Sequence, residues 1–309
     1  MSERYYRQIH ESGDLLIVLT PPTEPFALWQ DKKESETKTD PGAAKQAAEE
    51  TDEKSSAKDT KTIQPEYTFL VSSHILRHAS RLFEKDLDPD GPWKQPEVQT
   101  DGLRHKHLED FDPQALSHVL NLIHFRTTQV PDKLEMETLA EVAVIVDYFQ
   151  CHEAMRFAVQ SWITEPITIT VIRDLKFGRT LMLWLLIASV FKVQTILKRA
   201  ITILVEEGTG PFDALDLPIS QNVISVIDKG REAIINTLLN SIYQFKNDLS
   251  DGKLSCSFIC DVVHLGALQK QLCSAALYPR PGGTKRVQKD IRLRQFSVLV
   301  AIYARGGRI

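Results

Sequence analysis

The stretch from Tyr67 to Leu87 constrains the fold most, because its hydrophobic pattern changes from strand period to helix period. At its start, aromatic and aliphatic side chains occupy alternate positions, which is typical of a half-buried strand. From Ile75 onward, apolar residues recur at i, i+1, i+4, i+7 and i+8, which is typical of an amphipathic helix. Ser72 or Ser73 is predicted to cap this helix through its hydroxyl oxygen. Ser80 is predicted to divide it into two short helices.

Further elements surround this stretch. Asp14–Thr20, DLLIVLT, is a continuous apolar run before two prolines and predicts a buried strand. Leu103 and His105 alternate in a third, shorter strand. Asp112 followed by Pro113 predicts a helix start, since Asp suits the cap and Pro the first helical position. Later helices are predicted over Leu134–Phe149 and Glu153–Ile163.

Several of these residues together resemble the signature of BTB (POZ) domains. In that family, a strand-ending Val precedes a short helix of the pattern x-x-x-I-L-x-x-x-S-x-x-F. Members of fungal type also end a later helix in D-Y-Y-x-C. Many members carry His directly after the Val, where this chain has Ser72. The matching residues are Asp14, Val71, Ile75, Leu76, Ser80, Phe83, Asp147, Tyr148 and Cys151.

The second half is predicted to be helical and resembles the extension of fungal-type BTB proteins. Thr180–Phe191 is apolar on nearly all sides and predicts a central, buried helix. Another helix is predicted over Phe258–Leu277. A long helix between them is predicted from the stripe Ile224, Ile227, Ile234, Leu238 and Ile242.

The resemblance implies an α+β fold of BTB/POZ type, with a small sheet flanked by a helix cluster, over residues 1–165. An all-helical extension is expected over residues 166–285. Residues 31–62 contain no Val, Leu, Ile, Phe, Tyr or Trp and are predicted to form a disordered insertion. That insertion either has no function or offers its Ser and Thr residues for modification. The tail, residues 286–309, is basic with an apolar centre at Phe296–Tyr303 and receives no structural assignment.

Composition argues against several classes of function. The net charge of −4 gives no basic surface for nucleic acid. Four scattered cysteines indicate reduced thiols in an intracellular protein, cytoplasmic or nuclear. The first residues lack the apolar core of a secretory signal. The longest uncharged apolar run falls short of the ~20 residues that span a bilayer. We therefore expect neither nucleic acid nor membrane as a partner.

Candidate metal ligands occur in three places. His74 and His78 have the i, i+4 spacing of zinc ligands on a helix, but a third ligand is not evident. Cys256, Cys260 and His264, with Cys273 as a fourth, could surround a structural zinc ion, whereas packing of buried thiols is the alternative. A looser cluster comprises His105, His107, Asp110 and Asp112.

The function expected from the resemblance is protein–protein binding without catalysis. BTB domains commonly self-associate as homodimers or bind adaptors, and some recruit a cullin-type ubiquitin-ligase scaffold. Tyr5, Tyr6 and Ile9, together with the helical extension, are candidate contact surfaces. No P-loop, nucleophile elbow or G-x-G-x-x-G motif is present, so neither a catalytic residue nor a cofactor is predicted. The alternative is a metal-dependent regulator or enzyme that uses the Cys256, Cys260 and His264 cluster.

Overall fold

The computed structural model describes residues 4–29, 65–88, 90–91, 97–208, 212–253, 257–274 and 277–278. Within these residues the chain is a mixed α+β protein that begins with a small sheet and continues as helices. The predicted insertion at 31–62 and the tail at 286–309 lie outside the described residues. The strands are β1 (Arg4–Gln8), β2 (Leu15–Thr20), β3 (Glu66–Val71) and β4 (Arg104–Glu109).

The sheet has the order β1-β3-β2-β4. The two central strands, β2 and β3, run antiparallel, with Leu15 opposite Val71. β1 pairs with β3 and β4 pairs with β2, both in parallel. The apolar run of β2 is buried at most positions, as expected for a central strand. Tyr5 of β1 stacks on Tyr67 of β3, with ring centroids 4.9 Å apart.

The helices confirm the predicted helical half and the predicted break at Ser80. The first two, α1 (Ser73–Ala79) and α2 (Arg81–Asp86), meet at that residue. The others are α3 (Pro113–Ile123), α4 (Met136–Phe149), α5 (Arg156–Trp162), α6 (Glu165–Asp174), α7 (Arg179–Val190), α8 (Gln194–Glu207), α9 (Gln221–Ser250) and α10 (Phe258–Ser274).

The core runs from the sheet into the helical half through α7. This helix packs against α4 and against α8, and its side chains from Leu181 to Ala188 are buried. The prediction of a central, buried helix over Thr180–Phe191 is therefore confirmed. A helix that is apolar on all sides needs neighbours on all sides, and α4 and α8 supply two of them.

The stripe predicted for α9 is confirmed in part. The structure buries Ile227 and Ile242 and half-buries Ile224 and Leu238, whereas Ile234 is 39% exposed. The buried face also includes Ile235, Leu239 and Arg231, and Nη1 of Arg231 donates a hydrogen bond to the carbonyl of Gly208. A count of apolar residues skips a charged position, so the predicted stripe did not include Arg231.

Candidate protein-docking site

Asp14 caps α1 from a different part of the chain. Its carboxylate accepts hydrogen bonds from the backbone N–H of Ser73 (2.7 Å) and from the Ser73 hydroxyl (2.5 Å). The prediction that Ser72 or Ser73 caps this helix is wrong, because Ser72 occupies the N-cap position without a side-chain bond. Burial raises the pKa of the Asp14 carboxyl, but the bonds from Ser73 outweigh burial and leave the pKa below its ordinary value.

Ser80 joins the α1–α2 break to the end of α4. Its hydroxyl accepts a hydrogen bond from the backbone N–H of Phe83 (3.2 Å) and donates one to the carbonyl of Phe149 (2.5 Å). The Phe83 and Phe149 rings are fully buried with centroids 4.8 Å apart. One buried oxygen atom therefore serves two helix ends, each of which leaves backbone groups without intrahelical partners.

The D-Y-F-Q-C sequence at the end of α4 forms a tight helix stop. Gln150 adopts a left-handed backbone, with φ at 54°, and the N–H of Cys151 donates to the carbonyl of Val146 (3.2 Å). Burial raises the pKa of the Cys151 thiol to about 12, so the thiol stays protonated. Tyr148 is half exposed, and Asp147 lies 3.8 Å from the His152 ring.

Three of the nine residues of the BTB resemblance, Asp14, Ser80 and Phe83, join separate elements through hydrogen bonds or a ring contact. The structure brings Ser80 and Phe83 together at the end of α4, and it joins Asp14 to the start of α1. The side chains that are almost fully buried are Val71, Leu76, Ser80, Phe83 and Cys151. Asp147 and Tyr148 lie nearer the surface. These buried side chains stabilise the fold, and the buried Ser80 hydroxyl and Cys151 thiol are not accessible to another molecule.

His124 fixes the end of α3 to the start of α1. Its Nε2 accepts the backbone N–H of Ser72 (3.0 Å), and its Nδ1 lies 2.8 Å from the carbonyl of Leu120. A carbonyl can only accept, so Nδ1 carries the proton and the ring is neutral. Burial lowers the pKa of His124, which agrees with that state.

A cleft of about 710 Å³ opens beside these junctions, between α1, the end of α3 and α5. Its wall includes the buried side chains of Ile123 and Trp162 and the half-buried Ile75. Two aromatic side chains stand at its rim: Phe125 is 83% exposed and Phe157 is 80% exposed. A concave apolar surface of this volume is typical of a binding site.

The backbone holds Phe125 in an unusual conformation. Its φ is 61°, in the left-handed region, which costs a non-glycine residue on the order of 1 kcal/mol. The adjacent Arg126 anchors the turn, because its Nη1 donates to the carbonyls of Gln8 (2.7 Å) and Ile9 (2.9 Å). The exposed ring gains little from packing in return. The left-handed backbone forms the stop at the end of α3, since the N–H of Phe125 donates to the carbonyl of Leu122 (3.1 Å) and that of Arg126 to the carbonyl of Asn121 (2.8 Å). This stop directs the Phe125 ring into solvent at the rim of the cleft.

The ionisable side chains around the cleft belong to Asp, Glu and His residues. Asp132 and Glu153 line it, as do His74 and His78, whose rings meet edge to face at 4.6 Å. The described lining contains neither Lys nor Arg. The cleft is therefore suited to a neutral or basic apolar segment rather than to an anion.

Over the part of the chain that the structure describes, the candidate metal ligands do not come together as a metal site. There, no group of three or more His, Cys, Asp and Glu side chains could hold a metal ion. His105 is 2.8 Å from Asp101, and Asp112 caps α3 by accepting the N–H of Ala115 (2.7 Å). Cys256 lies outside the described residues, so the cluster with Cys260 and His264 stays a prediction.

A second cavity, of about 220 Å³, is acidic. Burial, together with repulsion from Asp112 and Glu137, raises the pKa of Glu141 to about 7, against the attraction of Arg179. The lining residues of this cavity that carry a carboxyl group are Glu24, Asp110, Asp112, Glu141 and Asp216. The cavity is smaller than most ligand pockets, and the cleft is therefore the stronger candidate.

Sequence reasoning missed both aromatic residues at the rim. In the helix predicted over Glu153–Ile163, the apolar stripe at helical spacing is Met155, Ala158, Val159 and Trp162, and the structure buries Met155 and Trp162. Phe157 falls outside that stripe, and this was the only local signal for it. Phe125 follows the end of α3, and nothing in its neighbourhood predicts its left-handed backbone.

Comparison with known proteins assigns no family. No protein-family model matches the chain, and no curated protein matches it. Over the described ranges, none of the helices combines the length and apolar character needed to cross a membrane. The mixed α+β architecture and the cleft are therefore the basis for a functional proposal.

Proposed function

We propose that the chain is a protein-binding module of BTB type that acts without catalysis of its own. The small sheet with its flanking helices, and the contacts by which Asp14, Ser80 and Phe83 join separate elements, support the BTB part. The observation that carries the binding function is the apolar cleft with Phe125 and Phe157 at its rim. Exposed apolar surface beside a concave site is typical of interaction surfaces.

The two phenylalanines can act as anchors of an interface. An aromatic side chain buries roughly 150–250 Å². Covering the exposed part of both rings, 83% and 80%, removes roughly 300 Å² from water. At ~25 cal/mol per Å², the gross gain is ~8 kcal/mol. Association itself costs an estimated 4–15 kcal/mol, so these anchors need further contacts around them.

The partner should be a protein segment with apolar side chains and a neutral or basic flank. Self-association is the first expectation, because BTB domains commonly form homodimers. Binding of an adaptor, including a cullin-type ubiquitin-ligase scaffold, is the second. In both cases a stable interface would bury more than the two rings, since specific interfaces remove ~1,200–2,000 Å² in total.

Matched variants test the proposal. Phe125→Asn suits the left-handed backbone, and Phe157→Asp places a charge on the rim, so the double variant should fold. Val98→Asp is the control, because Val98 is 60% exposed and lies outside the cleft lining. Light scattering measures the dimer mass, and calorimetry measures binding of a purified cullin-type scaffold.

The double variant should lose whichever interaction the wild type shows, and the control should retain it. A wild-type chain that is monomeric at tens of micromolar and does not bind the scaffold would contradict both expectations. Retention of the interaction by the double variant would instead show that the cleft is not the contact surface.

A further inference from the structure

The helix α10 is held to the molecule by one face and exposes an apolar second face. Its buried side chains are Asp261, Leu268 and Leu272, and the helix packs on α9. The exposed set, called the α10 face below, is Phe258 (81%), Ile259 (74%), Val262 (50%) and Val263 (62%). Four adjacent apolar side chains that are half or more exposed form a patch rather than scattered surface residues.

The α10 face is too small to hold a second protein by itself. Its four side chains present roughly 400–500 Å², about half of the ~800 Å² that each partner buries in a standard interface. A partner from solution would also have to offset the cost of association, 4–15 kcal/mol. A segment of the same chain avoids most of that cost, because its tether keeps it at a local concentration of order millimolar.

The chain leaves the described part close to this helix pair. Leu277 is buried, its N–H donates to the carbonyl of Leu272 (2.8 Å), and its own carbonyl accepts the Tyr243 hydroxyl. The Tyr278 ring lies 5.6 Å from the Lys246 ammonium of α9. The continuation of the sequence therefore begins from a point fixed against α9.

The sequence that follows contains a suitable apolar segment within reach. Phe296–Tyr303, FSVLVAIY, has no charged residue. It begins about 18 residues after Tyr278. For comparison, a random-coil chain of that length has a mean end-to-end distance of ~23 Å. The helix α10 is ~25 Å long at 1.5 Å per residue. The linker can therefore deliver the segment to any part of the α10 face.

We propose that Phe296–Tyr303 docks on the α10 face of its own chain. The segment supplies the apolar cover that the face lacks among the described residues, and the short tether makes a patch of this size sufficient. The contact is separate from the cleft, and it does not depend on the BTB-type function proposed above.

Hydrogen exchange read by mass spectrometry on the full chain tests the docking. Peptides over 296–303 should be protected. Ile259→Asp with Val262→Asp should raise exchange there by about tenfold or more, equivalent to ~1.4 kcal/mol of docking free energy. Both positions are exposed, so the helix pair should stay folded, which circular dichroism checks. Val298→Asp should reciprocally raise exchange over 258–263, and Phe157→Asp in the cleft should change neither region.

Three results would overturn the proposal. Fast exchange over 296–303 in the wild type, or protection that the α10 substitutions leave unchanged, would show that the segment does not dock there. Protection that falls on serial dilution would identify a second copy as the occupant. Protection that is constant on dilution and lost in the α10 variant establishes docking within one chain, whatever the outcome of the cleft experiment.

Discussion

Replacing Ser80 with Ala removes one oxygen atom from the junction of α1, α2 and α4. The Phe83 N–H then loses its capping acceptor, and the Phe149 carbonyl loses its donor. Ser80 is 2% exposed, so water does not readily replace either bond. The backbone and the surrounding side chains can otherwise keep their positions, because Ala fits within the space of Ser.

The magnitude follows from the two bonds. Loss of a Ser cap typically costs ~1 kcal/mol. A buried carbonyl left without its partner costs a further ~1–3 kcal/mol. Ser80→Ala should therefore lower the free energy of unfolding by ~2–4 kcal/mol, a large part of the ~5–15 kcal/mol that holds a typical domain together.

Ser72→Ala is the matched control, since Ser72 holds the N-cap position of α1 and its hydroxyl makes no capping bond. Its backbone N–H, which His124 accepts, is retained in Ala. The control should stay within ~0.5 kcal/mol of the wild type, as most substitutions outside such features do. Urea denaturation at constant m measures both changes. Equal losses in the two variants, or no loss in Ser80→Ala, would refute the assignment of the cap.

Three further predictions concern stability, all measured by chemical denaturation. Phe83→Ala should cost ~3–5 kcal/mol and Leu76→Ala ~2–5 kcal/mol, because both side chains are fully buried; losses below ~1 kcal/mol would contradict this. Since the folded-state pKa of His124 lies below 6.5, the folded state binds fewer protons and stability should fall as pH drops below 6.5. His124→Gln should flatten that fall; an unchanged slope would count against it. The folded-state pKa of Glu141 is raised from 4.5 to about 7, so the folded state binds more protons there and stability should fall as pH rises through this range. Glu141→Gln removes this effect, so its stability relative to the wild type should be higher at pH 8 than at pH 4. An equal difference at the two pH values would contradict the prediction.

The sequence predicts those elements whose signal lies in their own residues. β2 is a continuous apolar run, and α3 begins with Asp112 and Pro113, so both could be located directly. β1 could not, because RYYRQ has no apolar alternation, and Tyr5 and Tyr6 are 46% and 59% exposed. Its backbone hydrogen bonds to β3, and not a local preference, make it a strand.

The candidate site depended on contacts that no local pattern carries. The cleft is assembled from α1, the end of α3 and α5, which lie far apart in the sequence. The cap of α1 comes from Asp14, 59 residues before Ser73. The prediction of a capped helix start at this position was sound in its physics, since a free N–H needs an acceptor, but it chose the nearest oxygen atoms.

The strand order also determines how long the nascent chain exposes an unpaired apolar strand during synthesis. β2 can pair with β3 only after Val71 has been synthesised, about 50 residues after Thr20. It can pair with β4 only after about 40 further residues have been added. At ~5–20 residues per second, the first wait alone lasts ~3–10 s. Throughout it, LLIVLT is an uncharged six-residue segment of high β-propensity with unpaired backbone groups, the signature of aggregation-prone sequences. The nascent chain is therefore most exposed to misassembly before residue 71 leaves the ribosome, and a chaperone that holds extended apolar segments should act on it in that interval.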